Sequence, residues 1–420
     1  MMNDLLRIPI AAHGRWVVFT SMALAFLMPL WQPLLPVFLV LLLISWWRAP
    51  GVRPVIHEKW LTVLPWILLL YVLHLIGMAW STNMDYGLFD LQIKLPLLLL
   101  PMLAFLKPRA TSDLLVPVLL SFAVGNALAV IAGSMHVAIT STAPDASLAR
   151  LISGPGFSFL LHPSYFSLHL LFAMAGMLLT PLYERLPKWA VMLLLVFLVA
   201  GVVLSGSKIG WMLLPVLLIM ILFVQWKVGW LRRSIVSIAV IAMSGLIALV
   251  VLSPFAKDRV QEMVKVILGT HEHAGEFTSS EIRKRAWESA WELGKNNLPW
   301  GTGTGDVKDD LMTIYQQKGY HHLLEHRINP HSQYLQMFAA LGVPGLVLIV
   351  VALMVPLVHS IMRRHLLLIA FLVLCALNFA VESMLEVQAG VMFFSFFAFL
   401  LSQTSTDLRP HDPLQPTAHR

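Results

Sequence analysis

The chain has 420 residues, of which 58% are hydrophobic and only 12% charged, with a formal net charge of +7. So little charge cannot keep the surface of a soluble domain of this length wet, which excludes a water-soluble globular protein. The apolar residues come in long, unalternating runs; these exclude a membrane β-barrel and leave helices, the elements that satisfy their own backbone in lipid.

In chain order, hydropathy predicts about twelve membrane spans of the length a bilayer core requires. They fall near 16–31, 33–47, 60–79, 91–106, 114–138, 163–182, 188–205, 209–226, 235–253, 333–359, 366–381 and 388–402. Pro29, Pro33 and Pro36 make the boundary of the first pair either a turn or two kinks. Arg7 and Arg15 precede the first run, but no small-residue cleavage site follows, so a cleavable leader is not expected. The single cysteine, Cys375, lies in an apolar run, and no internal disulfide can form.

Lys and Arg set the orientation. Arg48, Arg53 and Lys59 follow the second span, Lys107 and Arg109 the fourth, and Arg185 and Lys188 the sixth. Lys227, Arg232 and Arg233 follow the eighth, and Arg363 and Arg364 the tenth. The intervening short loops are poor in basic residues, so both termini are expected in the cytoplasm. The basic excess is therefore chiefly a topology signal and not the footprint of a nucleic-acid partner. The organisation expected is a first helical block over 1–253, a large extracytoplasmic loop over 254–332, further spans over 333–402 and a disordered cytoplasmic tail over 403–420.

The large loop departs from the charge pattern: it carries Arg283, Lys284, Arg285, Lys308, Lys318 and Arg327 among other basic residues on the outer side. Long loops cross whatever their charge, but basic residues kept there invite an anionic ligand. Thr278-Ser279-Ser280-Glu281 has the form of a capping box opening a helix to about Lys295, with Trp287 and Trp291 four apart and able to stack. A second helix is expected over 306–319. Gly301-Thr302-Gly303-Thr304-Gly305 reads as a turn, because no strand precedes it and no Lys-Ser/Thr pair follows. Asp306, Asp309 and Asp310 read as a solvated helix face.

Asn329-Pro330-His331 looks like a helix start, with Asn as the cap and Pro in the first position. The apolar stretch that follows, of roughly 30 residues, would extend about 45 Å, longer than a bilayer core. Gly342-Val343-Pro344-Gly345 offers a break, so 331–341 is expected to be a short helix near the interface. His331 then sits at a helix N-terminus near the membrane surface, where an imidazole can take a proton and helix N–H groups favour phosphate. Lys94, four residues after Asp90 inside the fourth span, is a charge in the membrane; it marks either a functional group or a local ion pair. Glu382 and Glu386 end the eleventh span and can face the same outer cavity, although nothing in the sequence pairs them with Arg283 or His331.

His331-Ser332, nine residues, Gly342, two residues and Gly345 resemble the histidine motif of the bacterial O-antigen ligases. The surrounding Asn329-Pro330-His331-Ser332-Gln333-Tyr334-Leu335-Gln336 is similar to the core of the wider ligase and polymerase superfamily. The loop stretch Ser279-Ser280, Arg283, Trp287 and then Leu298-Pro299-Trp300-Gly301-Thr302-Gly303 resembles its pattern of an Arg, a Trp four later and a glycine turn. His162-Pro163-Ser164-Tyr165-Phe166-Ser167 and Ser205-Gly206-Ser207-Lys208-Ile209-Gly210-Trp211 also look like family segments.

The resemblance implies an all-α, GT-C-like polytopic protein of the bacterial inner membrane with a periplasmic active site. It implies transfer of a polymer glycan from undecaprenyl diphosphate to a sugar hydroxyl of lipid A–core, with no cofactor and no metal. The partners implied are the lipid-linked glycan, lipid A–core and membrane lipids. His331, Arg283 and Lys208 match the family's catalytic positions, Lys208 standing where the family usually has an arginine. Lys binds phosphate as a point charge without the bidentate fork of Arg. Arg283 and Lys208 are expected to bind the donor diphosphate and His331 to deprotonate the acceptor hydroxyl, with inversion at the anomeric carbon. Arg285, Arg327 and Arg150 are further candidates for phosphates, and Ser332, Gly342 and Gly345 are structural members of the motif. Two readings stand beside this one: a polysaccharide polymerase or protein O-oligosaccharyltransferase of the same superfamily, and a membrane transporter. Against transport, the polar residues gather at one interface and not at the midplane.

Overall fold

A computed structural model describes residues 12–49, 53–54, 62–104, 106–107, 114–140, 156–226, 229–252, 257, 261 and 279–403. Arg150, Thr278, most of 254–278 and the tail from 404 lie outside the described residues. The elements are helical apart from a two-residue antiparallel pairing of Arg53–Pro54 (β1) with Leu106–Lys107 (β2).

Five helices make up the first part: α1 (Ala12–Leu27), α2 (Leu35–Trp47), α3 (Leu64–Gly77), α4 (Met84–Ala104) and α5 (Leu115–Thr140). There follow α6 (Pro163–Leu178), the single turn α7 (Leu182–Arg185), α8 (Lys188–Leu204), α9 (Lys208–Val224) and α10 (Gly229–Leu252). The loop contributes α11 (Ser279–Asn296), α12 (Val307–Gln317) and α13 (His321–Glu325), and the chain continues through α14 (Gln333–Met362), α15 (Leu366–Phe379) and α16 (Gln388–Ser402). Helices α4, α5 and α14 are long and apolar enough to cross a membrane, and most of the others are shorter apolar helices.

Every residue of α6 is buried, as is α16 from Ala389 onward. Helices apolar on all sides belong in the middle of a bundle, and these two do so here. Phe122, Phe172, Phe371, Phe393 and Phe397 join them with ring centroids 4.7–6.2 Å apart. The outside is also apolar: Phe223 is 85% exposed and Ile219 67%, on one face of α9. A surface of that kind is stable against lipid, and the chain has the make-up of a membrane protein.

Each expected span overlaps a helix, and three places are informative. The first pair is divided by a turn and the short 3-10 segment Gln32–Leu34. Helix α4 begins at Met84, seven residues before the expected 91: Asn83 caps it, its Oδ1 accepting from Tyr86 N–H at 3.0 Å, and Asp306 braces that cap by accepting from the N–H groups of Thr82 and Asn83, both at 2.7 Å. Asp309 accepts from Asn83 Nδ2 at 2.6 Å and from Arg327 at 3.1 Å. The solvated face expected for Asp306 and Asp309 is therefore a clasp between the loop and the bundle. Helix α14 breaks at Gly342 (φ 63°, ψ −148°), where the sequence offered a break. Trp291 packs on Phe338 of α14, ring centroids 5.0 Å apart, and not along its own helix on Trp287.

Candidate active site

Because successive helices alternate in direction, the starts of α6, α9, α14 and α16 and the end of α15 lie at one end of the bundle, beneath α11. A cavity of about 530 Å³ opens there. His162, Ser164, Lys208, Ser280, Arg283 and His331 line it, together with apolar Ile209, Met212, Ile282 and Trp287.

Lys208 is the first residue of α9. Gly206 takes φ 64° to turn the chain, and Ser207 caps the helix, its Oγ accepting from Gly210 N–H at 3.1 Å. A Cβ on Gly210 would lie 2.5 Å from Ser167 Cβ, so only glycine lets this helix start seat on α6. Lys208 Nζ donates to Ser280 Oγ on α11 at 2.9 Å, closing one wall of the cavity. Arg283 comes from the next turn of α11; its Nη2 donates to Glu382 Oε1 at 2.7 Å, while its buried Nε has no hydrogen-bond partner among the described residues.

His331 precedes α14 by two residues, a correction to the expected helix start. Asn329 does not cap a helix. Its Oδ1 accepts from His331 N–H at 3.0 Å, which folds the chain into a local turn with His331 at φ 47°. Ser332 is then the residue before the first turn of α14. Trp287 Nε1 donates to the His331 carbonyl at 3.3 Å, so the Trp four residues after Arg283 serves to hold the histidine backbone.

The sequence left Glu382 unassigned, and the structure puts it at the centre. It is 2% exposed. Its Oε1 accepts from Arg283 and from Ser164 Oγ (2.9 Å), and its Oε2 lies 3.2 Å from His331 Nδ1. Burial pushes this carboxyl up, but the hydrogen bond to His331 and the positive charge of Arg283 outweigh it, so the group is pulled down to about 2. An ionised carboxylate can only accept, so Nδ1 must carry the proton and Nε2 is the acceptor atom of the neutral ring. That is the geometry of an oriented general base.

Glu382 titrates lower folded than its ordinary 4.5, so it adds stability that is complete above about pH 4.5 and lost as pH falls through about 2. The expected result is that the melting temperatures of wild type and Glu382→Gln in detergent differ above pH 4.5 and draw together below it.

The other candidate residues fall elsewhere. Arg285 pairs with Glu281 one turn away on α11 and stacks over Tyr320, its Cζ 4.9 Å from the ring centre. Arg327 pairs with Asp309. Neither lines the cavity. Arg150 lies outside the described residues. Glu281 pairs with Arg285 and Ser280 accepts from Lys208, while the capping box expected from Thr278 lies outside the described residues. The glycine turn is not a phosphate cradle: the N–H groups of Thr302 and Gly303 donate to the Ala339 and Ala340 carbonyls at 3.1 and 2.8 Å. Gly305 N–H donates to Ser81 Oγ.

Residues 193–350 match a family model described as O-antigen ligase. The match takes in Lys208, Arg283 and His331 and stops short of Glu382. No curated protein matches the chain significantly.

Proposed function

We propose, from the match of residues 193–350 to a family model described as O-antigen ligase, that this chain is an O-antigen ligase of the bacterial inner membrane. It crosses the bilayer about twelve times, keeps both termini in the cytoplasm, and moves a polymer glycan from undecaprenyl diphosphate to a sugar hydroxyl of lipid A–core on the periplasmic side. The observation that carries the reading is one cavity that combines a basic wall, a histidine oriented by a buried carboxylate, and apolar residues. That combination fits an amphiphilic donor with a diphosphate between sugar and isoprenoid.

The donor already has a good leaving group, so neither nucleotide nor covalent nucleophile is needed. His331 Nε2 takes the proton of the acceptor hydroxyl as its oxygen attacks the anomeric carbon, while the bond to the diphosphate breaks. Arg283 and Lys208 meet the negative charge that gathers on the departing phosphate. Direct displacement inverts the anomeric centre. The polymerase alternative uses the same chemistry with a different acceptor.

The test is purified protein in liposomes with lipid-linked glycan and lipid A–core, without nucleotide. Laddered lipopolysaccharide on a gel is expected. Elongation of the lipid-linked glycan with lipid A–core left unmodified would replace ligase by polymerase. Arg283→Ala is expected to cut kcat/KM for the donor by roughly 10²–10³-fold, whereas Lys208→Arg should retain most activity because it keeps the charge. Activity of Arg283→Ala equal to wild type would remove Arg283 from the site.

A further inference from the structure

A second charge cluster, which the reaction above does not use, lies beneath the turn that carries Glu382. Lys94 on α4 is completely buried, at 0% exposure. Its Nζ donates to Asp90 Oδ1 at 2.5 Å and to Glu386 Oε2 at 2.9 Å. Asp90 Oδ2 lies 3.7 Å from His74 Nδ1 on α3. Glu386 Oε1 accepts from Gln333 Nε2 at 3.1 Å, and Gln333 Oε1 accepts from Leu385 N–H at 2.7 Å.

These bonds join two short segments that meet at the site. His331 pairs with Glu382, Ser332 N–H donates to Ser383 Oγ at 3.1 Å, and Gln333 pairs with Glu386. The start of α14 is thus laced to the turn ending in Met384–Glu386, with the catalytic pair at the cavity end and Lys94 at the buried end. An ammonium with two carboxylates inside a helix bundle is costly to desolvate, and apolar packing would serve stability at least as well. What the ion pairs supply is direction: Lys94 fixes where Glu386 stands, and through it the turn.

We propose that Lys94 is a positioning residue for glycan transfer, pinning the Glu382-bearing turn from below through Glu386 and so keeping Glu382 in register with His331. The proposal rests on the function proposed above for its kinetic readout and on the described geometry alone for its structural one.

The experiment is a double-mutant cycle on the full chain in liposomes, with lipid-linked glycan and lipid A–core. Lys94→Met is expected to lower kcat roughly 10- to 100-fold with little change in donor KM, because small misplacements of reacting groups act on the chemical step. In the Glu382→Gln background the same change is expected to cost less than about threefold, since residues acting through one another are not additive. An equal loss in both backgrounds overturns the proposal, as does full activity of Lys94→Met. If Lys94→Met does not accumulate, the nearly isosteric Glu386→Gln enters the same cycle and is judged by the same outcomes.

Amide hydrogen exchange gives the arm that needs no substrate. Exchange over 382–387 is expected to rise in Lys94→Met and that over α12 to stay unchanged; an unchanged turn overturns the proposal. If the wild type transfers no glycan, the functional reading fails and the exchange result still decides the role of Lys94.

Discussion

His331→Ala is expected to lower the transfer rate roughly 10²–10⁴-fold with the donor KM little changed, the usual worth of a positioned general base. Glu382→Gln is expected to cost a comparable factor, though it removes only a charge and keeps the shape. The carboxylate at 3.2 Å from Nδ1 requires the proton on that nitrogen. A glutamine can turn its own N–H toward Nδ1, which moves the ring proton to Nε2, where it blocks acceptance from the sugar hydroxyl. The same substitution takes the counter-charge from Arg283, whose Nη2 now pairs with Glu382. Single-turnover transfer by purified variants separates the effects: the tautomer argument predicts a loss in the chemical step, and the loss of the Arg283 partner predicts a change in donor affinity. Wild-type single-turnover rates in Glu382→Gln would sink the role of the carboxylate, and in His331→Ala the role of the base.

The sequence made the helices legible wherever apolar runs were long, because lipid leaves few alternatives for the backbone. It misled at α4, whose first turns carry Asp85 and Asp90 and depress the hydropathy; the cap, Asn83, is local, but the Asp306 carboxylate that braces it lies more than two hundred residues away. Arg283, Lys208 and His331 were legible as motif positions, and the structure brings all three to one cavity. Arg285 was legible only as a basic residue, although Glu281 four positions earlier on the same helix already offered it a partner. Glu382 could not be assigned, since its partners stand 51, 99 and 218 positions away in the chain. The one signal was a carboxylate at the end of an apolar run, where an unpaired charge is costly. The helix start at His331 was misplaced by two residues because Asn329 bonds the His331 amide in place of capping a helix.

The spacing of the histidine motif also has a physical reading, and Gly342→Ala tests it. Gly342 adopts φ 63° and ψ −148°, a region essentially closed to residues with a Cβ. A Cβ there would lie 1.9 Å from the Pro299 carbonyl oxygen. Gly301 presses from the other side, its own Cβ position 2.5 Å from Gly342 N, and a Cβ on Gly345 would meet the Met337 carbonyl at 2.4 Å. Three hydrogen bonds run across the contact, from Val343 N–H to Pro299 and from Thr302 and Gly303 N–H to Ala339 and Ala340. The glycine turn of the loop is therefore seated in the break of α14, and the half-helix that follows His331 is held from its far end. Gly342→Ala combines backbone strain with overpacking and is expected to destabilise the protein by roughly 2–6 kcal/mol. Gly245→Ala on α10, where a Cβ meets nothing within 4 Å, is the matched control and should be neutral or slightly stabilising. Thermal unfolding of both variants in detergent measures the difference. If Gly342→Ala melts with the control, the close contact of turn and helix is not what positions His331; if it melts far below, transfer should fail in it even though His331, Arg283, Lys208 and Glu382 are all intact.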